Sequence, residues 1–175
     1  MRQFRVPFFH KNIRLAADAY TGQQWYFVTL CTEKRRPVFS SSEHSFWLIE
    51  ILREKSALMQ FSVYAYCIMP DHFHMLVYGL SASSNLLAFV KRLKQTSGYE
   101  FRRRSGHELW QKKFHDHILR NDEPVHSVAA YIWMNPVRKG LCEDPTAYAY
   151  SGSFVLDWKQ APKPSTPWAP GKRPA

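Results

Sequence analysis

The chain has no apolar run approaching the ~20 residues that a bilayer-spanning helix needs. Its first stretch, Met1 to Arg14, is studded with arginine but lacks the small-residue cleavage site of a secretory leader. A soluble, cytoplasmic protein is expected. Cysteine is scarce: Cys31, Cys67 and Cys142 are odd in number and far apart, which fits neither a disulfide framework nor zinc spacing and reads as reduced core thiols. Acid is short too, with 14 Asp plus Glu against 24 Lys plus Arg and a net charge of +10 over 175 residues. That excess points to a polyanion, nucleic acid first, because each phosphate neutralised by Lys or Arg releases condensed counterions. An enzyme that is merely basic would have the same composition.

Apolar side chains are plentiful: 45% of the chain, with 12 Phe, 9 Tyr and 6 Trp, suffices for a core and excludes wholesale disorder. Residues 1–20 carry Arg2, Arg5, Lys11 and Arg14 before the first acid and read as a basic arm. Trp25 to Thr32 is aromatic and β-branched over strand length. Ser40 to Ser42 can cap a helix from about Glu43 to Met59, with Phe46, Ile49, Leu52 (or Ile51) and Leu58 as its apolar stripe. Phe61 to Met69 and His72 to Tyr78 are strands joined by Pro70-Asp71, hence an antiparallel hairpin.

From Ser84 to Gly106 a long basic helix is expected, with Leu86, Val90, Leu93 and Phe101 on one side and Lys91, Lys94 and Arg102 on a flank. Leu109 to Leu119 reads as a strand or extended segment. Asn121 to Pro124 reads as an acidic helix cap with proline in the first turn, and that last helix should run to about Asn135, where Pro136 stops it. The order β-α-β-β-α-β plus a further helix fits an α+β, ferredoxin-like antiparallel sheet better than a doubly wound parallel one. Residues 21–157 form this domain, and residues 158–175, rich in proline and basic, read as a disordered or extended tail.

Two constellations carry chemistry. His72 and His74 flank Phe73 on a strand, so both imidazoles share one face while Phe73, Met75 and Val77 point to the other. Two neutral imidazoles are half of a divalent-metal site; such a pair alone is more often solvent-facing or hydrogen-bonded. Tyr131 and Asn135 lie one helical turn apart beside the apolar stripe Val125, Val128, Ala129 and Ile132. Separately, Tyr131 reads as a boundary core residue and Asn135 as a helix cap. His115 and His117 alternate in a second histidine pair.

Taken in order, WYFVTLCTEKRRPVF at 25–39, MPDHFHMLV at 69–77, LWQKKFHDHILR at 109–120 and YIWMNPVRKG at 131–140 closely resemble the REP-associated tyrosine transposases, single-tyrosine members of the HUH nuclease superfamily. The resemblance spans roughly Tyr20 to Gly152. It implies a ferredoxin-like domain with a C-terminal helix bearing the nucleophile, Tyr131, and one Mg²⁺ or Mn²⁺ held by His72, His74 and, in the third-ligand position, Asn135. Related insertion-sequence transposases usually carry Gln there. His117 and Arg120 would support the site or contact phosphate, and His115 would be structural or DNA-facing.

The family acts on short imperfect hairpins beside a single-stranded tetranucleotide, so the implied partner is single-stranded or hairpin DNA in a bacterial nucleoid, bound by a monomer or a homodimer. Candidate backbone contacts are Arg2, Arg5, Arg14, Lys34, Arg35, Arg36, Lys91, Lys94, Arg102, Arg103, Arg104, Arg138 and Lys139. Trp25, Trp47, Trp110 and Trp133 are expected in the core or at an interface. The leading reading is a metal-dependent endonuclease and strand transferase working through a 5′-phosphotyrosine. Its alternatives are a hairpin-binding protein without turnover and, less favoured, a zinc hydrolase using both histidine pairs.

Overall fold

The computed structural model describes residues 16–161 and 166–171. Arg2, Arg5, Lys11 and Arg14 of the expected arm lie outside the described residues; its end, a 3₁₀ turn at Ala17–Tyr20, is pinned by Tyr20, which is buried in the core. The elements run β1 (Trp25–Cys31), α1 (Ser42–Leu58), β2 (Phe61–Met69), β3 (His72–Gly79), α2 (Leu86–Ser105), β4 (His115–Ile118), α3 (Val125–Trp133), α4 (Asn135–Arg138) and β5 (Ser151–Gly152). The strands form one antiparallel sheet in the order β4-β1-β3-β2-β5. This is the ferredoxin-like α+β arrangement, widened by the short edge strand β5.

Alternation along the strands makes two unlike faces. Tyr26, Val28 and Leu30 of β1 and Phe73, Met75 and Val77 of β3 join Leu48, Leu52, Phe89, Val90 and Leu93 of α1 and α2 in the larger core. Phe27, Leu76, Ala65 and Cys67 point the other way, against Val128, Ala129, Ile132 and Trp133 of α3. Each fully buried Leu, Ile, Phe or Met contributes about 1.5–3 kcal/mol against exposure, so a one-residue slip of β3 would invert both layers. In β2 strict alternation would keep residues 61, 63, 65, 67 and 69 together. A bulge between Val63 and Ala65 instead leaves Phe61 and Val63 on the α1/α2 side and sends Ala65, Cys67 and Met69 to the α3 side.

α1 starts at the expected place, with the Ser41 hydroxyl accepting from the His44 amide, and α2 ends on Gly106 in the left-handed conformation (φ 73°). Several expectations need correction. The buried stripe of α1 is Ser45, Leu48, Ile49, Ile51, Leu52 and Ser56, while Phe46 and Leu58 face outward, because the helix is covered by α2 as well as by the sheet. Of residues 109–119 only His115–Ile118 pair as a strand, although an isolated bridge joins Thr32 to Trp110.

The last helix is two helices. α3 ends at Trp133, and Pro136 sits in the first turn of α4, where a missing N–H costs nothing. Its entry has no acidic cap: Pro124 precedes Val125 without a side-chain bond, and Glu123 turns inward. All three cysteines are free, but only Cys31 and Cys67 are buried; Cys142 is half-buried. Within residues 158–175, expected as a disordered or extended tail, the described residues 158–161 and 166–171 include ordered contacts. Trp158–Gln160 forms a 3₁₀ turn and Trp168 is buried against Phe27 and Tyr131, since an indole gains more from the apolar α3 face than from water. Trp110 and Trp133 are buried, whereas Trp25 and Trp47 are partly exposed. No helix among the described residues is long and apolar enough to cross a membrane.

Candidate active site

The face under α3 is where β3 presents its histidines. In register, Cys31 lies opposite His72 and Thr29 opposite His74. Both imidazoles are buried, with ring centroids 4.7 Å apart at 80°. Each has its Nδ1 engaged: that of His72 is 2.5 Å from Asp71 Oδ1, and that of His74 is 2.7 Å from Thr29 Oγ1. The Asp71 carboxyl is held below its ordinary pKa, chiefly by the His72 hydrogen bond, against the opposing effect of burial and with help from Arg35. An ionised carboxylate only accepts, so the His72 Nδ1 that faces it is the donor. His74 is driven well below the usual imidazole pKa by burial first and by His72, Arg138 and Arg35 after it. It is neutral, the state in which an imidazole binds metal.

α3 lays Tyr131 over the same face. Its ring lies 6.3 Å from that of His74, meets Phe27 edge-on at 6.1 Å and meets Trp168 edge-on at 5.2 Å. Arg138, carried round by α4, places its guanidinium carbon 4.1 Å from the Tyr131 ring centroid and donates to the Tyr131 carbonyl at 2.6 Å. Burial raises the phenol's pKa and Arg138 opposes that rise. Asn135 is buried too, and its Nδ2 donates to the carbonyls of Tyr131 (3.0 Å) and Ile132 (3.3 Å). It therefore caps the end of α3, and only its Oδ1 has ligand character. Among the described residues no group of three or more His, Cys, Asp or Glu is arranged to hold a metal; His72 and His74 lie ring to ring, and Asn135 is held at the end of α3 by its own helix.

Beside Phe27 on the neighbouring strand stands His117, which donates from Nε2 to Glu123 at 2.7 Å. Glu123 is buried and also accepts from the Arg120 amide (2.9 Å) and from Trp168 Nε1 (2.8 Å). Burial raises its pKa, but these donors together bring it below the ordinary carboxyl value. The Arg120 side chain is exposed, 3.7 Å from Asp122 and Glu123. His115 is exposed, opposite Thr29.

The basic candidates divide. Arg138 reaches Tyr131, and Arg35 reaches Asp71 at 3.5 Å. Lys34 and Lys139 are exposed, and Arg36 donates to the carbonyls of Glu33 and Glu108. Lys91, Lys94, Arg102, Arg103 and Arg104 belong to α2, on the opposite layer from Tyr131. Of these, Lys94 is committed to the Gln111 and Lys112 carbonyls at 2.7 and 2.9 Å, and Arg102 to Glu108 at 2.8 Å. Thr29, Asp71, Glu123 and Trp168 escaped sequence reasoning. Asp71 adjoins His72 in the turn and could have been read; nothing in the sequence links Trp168 to Tyr131.

A family model described as "Transposase IS200 like" matches residues 21–135. A Haemophilus influenzae protein assigned as a REP-associated tyrosine transposase is 31% identical over 110 residues, which are 57% of this chain and 62% of that protein. The REP-associated tyrosine transposase of Escherichia coli is 22% identical over 146 residues, covering 78% of this chain and 85% of its own. The chain thus spans less than two thirds of the Haemophilus relative. Among solved structures, a REP-associated tyrosine transposase bound to a REP hairpin superposes with TM-score 0.66 at 19% identity, over 81% of this chain and 82% of the other. A structure from Deinococcus radiodurans, assigned as a transposase, reaches TM-score 0.50 at 22% identity over 62% of this chain and 88% of its own. Both likenesses speak to the fold.

Proposed function

The chain belongs to the IS200-like transposase family, and from that premise we propose that it cuts and rejoins single strands beside DNA hairpins of the REP type through a 5′-phosphotyrosine. The observation that carries this reading is the meeting of Tyr131, over the Arg138 guanidinium, with the buried His72–His74 pair on one face of the sheet. A hairpin partner is supported by the hairpin held by the related transposase structure and by the net charge of +10.

Tyr131 loses its phenolic proton, its Oη attacks phosphorus, and the bond from phosphorus to the 3′-oxygen breaks. That oxygen takes up a proton and leaves as a 3′-OH, while the 5′-phosphate stays on Tyr131. Attack by a 3′-OH on the phosphotyrosine reverses the exchange, so rejoining consumes no other energy source. Arg138 favours the phenolate that burial disfavours, and the packing of Tyr131 between Phe27 and Trp168 restricts its ring, which provides positioning.

The donors fit a divalent cation: two buried imidazoles with their Nδ1 atoms engaged by neighbours, the usual dressing of metal-bound histidine. His72 and His74 would hold Mg²⁺ or Mn²⁺, with the Asn135 amide oxygen as third ligand. Bound there, the ion supplies Lewis-acid stabilisation of charge at the scissile phosphate. A four-histidine zinc hydrolase gains no support, because His117 is given to Glu123 and β1 separates β4 from β3. The test is incubation with 5′- and 3′-labelled hairpins from the host's own repeats with Mg²⁺ or Mn²⁺. A covalent adduct on the 5′ side with a free 3′-OH is expected; tight binding with neither product would favour a hairpin-binding protein without turnover.

A further inference from the structure

The turn that follows β1 is an unusual piece of backbone. Lys34 and Arg35, neither a glycine, are consecutive residues at φ 56° and 55°, the left-handed region that side chains with a Cβ occupy only when the surroundings hold them there. The restraint is visible. Thr32 Oγ1, with one proton to share, lies 2.8 Å from the Arg36 carbonyl and 2.9 Å from the Asp71 carbonyl, and the Thr32 amide donates to the same Asp71 carbonyl at 3.0 Å. Phe39 N–H reaches Pro70 at 2.9 Å. The turn is thereby stitched to the hairpin turn just before His72.

This geometry aims the Arg35 guanidinium. Its Nη1 lies 3.5 Å from Asp71 Oδ2 and donates to Cys31 Sγ at 3.3 Å, while the other carboxylate oxygen, Oδ1, holds His72 Nδ1. Arg35, Asp71 and His72 form a chain of contacts from an exposed loop to a buried imidazole. Without Asp71, His72 could place its proton on either nitrogen or rotate about its terminal torsion, and only one of those states offers Nε2 to the site.

We propose that Arg35 and Asp71 are positioning residues: Arg35 fixes the Asp71 carboxylate, and Asp71 fixes the tautomer and ring orientation of His72. The value of this for metal binding rests on the proposed role of His72 as a ligand; the tautomer itself does not. Outer partners of ligating histidines typically change metal affinity by about 10–100-fold when removed. Arg35 acts at one remove and through a half-exposed ion pair, so its effect is smaller and disappears once Asp71 is gone.

The experiment uses the full chain labelled with ¹⁵N. In long-range ¹H–¹⁵N spectra of the metal-free protein, His72 should carry its proton on Nδ1, and Asp71→Asn should mix or invert the tautomers. Mn²⁺ titration followed by the electron paramagnetic resonance of the free ion should then show Kd rising about 10–100-fold for Asp71→Asn. Arg35→Ala should produce a smaller rise, with no further change in the double variant. Arg35→Lys should recover part of the loss, which a mere packing defect would not. A wild-type His72 protonated on Nε2, or an Asp71→Asn variant whose spectrum and Mn²⁺ affinity match wild type, would overturn the proposal. Wild-type protein with no His72-dependent Mn²⁺ binding would instead overturn the metal reading, and the tautomer spectrum would still decide the positioning role.

Discussion

Replacing Glu123 by Ala tests whether the C-terminal stretch is held by the node seen here. The Glu123 side chain is 2% exposed and its carboxylate accepts from His117 Nε2, the Arg120 amide and Trp168 Nε1. Truncation leaves the buried indole N–H without an acceptor, a loss of about 1–3 kcal/mol, and deletes a charge-assisted bond to the Arg120 amide worth about 1.5–3 kcal/mol. The His117 contribution is discounted because its side chain is 36% exposed. A total of roughly 3–5 kcal/mol is consistent with removal of one member of a buried polar network, and at about 2–4 °C per kcal/mol for a chain of this size the Tm should fall by roughly 6–20 °C. Glu123→Gln, which keeps an acceptor oxygen, should lose less.

The pH dependence has a definite sign. Glu123 titrates below its unfolded value, so its contribution is fully present above the unfolded carboxyl pKa and is lost as pH falls through the folded one. The Tm difference between wild type and Glu123→Ala should therefore be constant near neutrality and shrink in acid. Scanning calorimetry from neutral pH into the acid range reads both. A Glu123→Ala Tm within 2 °C of wild type at neutral pH would refute the reasoning, and so would a difference that grew on acidification.

Tyr131→Phe should keep its ring contacts with Phe27, Trp168 and Arg138 and hence hairpin affinity, while losing every covalent adduct on denaturing gels; normal cleavage would show another nucleophile. Trp168→Ala should expose the Tyr131 phenol and, because burial is the main cause of its raised pKa, bring that pKa back toward the ordinary value in an ultraviolet difference titration. His72→Ala or His74→Ala should abolish divalent-metal-dependent cleavage with hairpin binding largely kept, as measured by adduct yield against Mn²⁺ concentration, and Asn135→Ala should be milder because water can replace an amide ligand. Lys94→Ala should lower Tm rather than the salt slope of DNA binding, since its ammonium serves two backbone carbonyls. Lys91→Ala, at an exposed position, should reduce the slope by up to about one unit if it contacts a phosphate.

What was legible in the amino-acid order was whatever local periodicity encodes. The two-residue alternation of HFHMLVY puts Phe73, Met75 and Val77 in one core and His72 and His74 on the other face, as in the folded chain. The helical spacing of Leu86, Val90, Leu93 and Phe101 likewise matches the buried side of α2. Gathering the histidines, Tyr131 and Asn135 into one candidate site required the family resemblance, because no spacing rule connects residues on different layers.

Tertiary structure alone decided the rest. The bulge in β2 reassigns Ala65, Cys67 and Met69 to the α3 face, since one extra residue inverts all that follow it. Pro136 begins a helix instead of ending one, and that turn carries Arg138 back under Tyr131. Lys94, which sequence assigns to DNA, is taken by two carbonyls of a loop it meets only after folding. Trp168 and Glu123 meet across 45 residues, and Arg35 meets Asp71 through two turns stitched by backbone hydrogen bonds. Such contacts depend on the relative placement of whole elements, and the burial that stabilises them exists only when every layer is in place; no local stretch of residues carries that information.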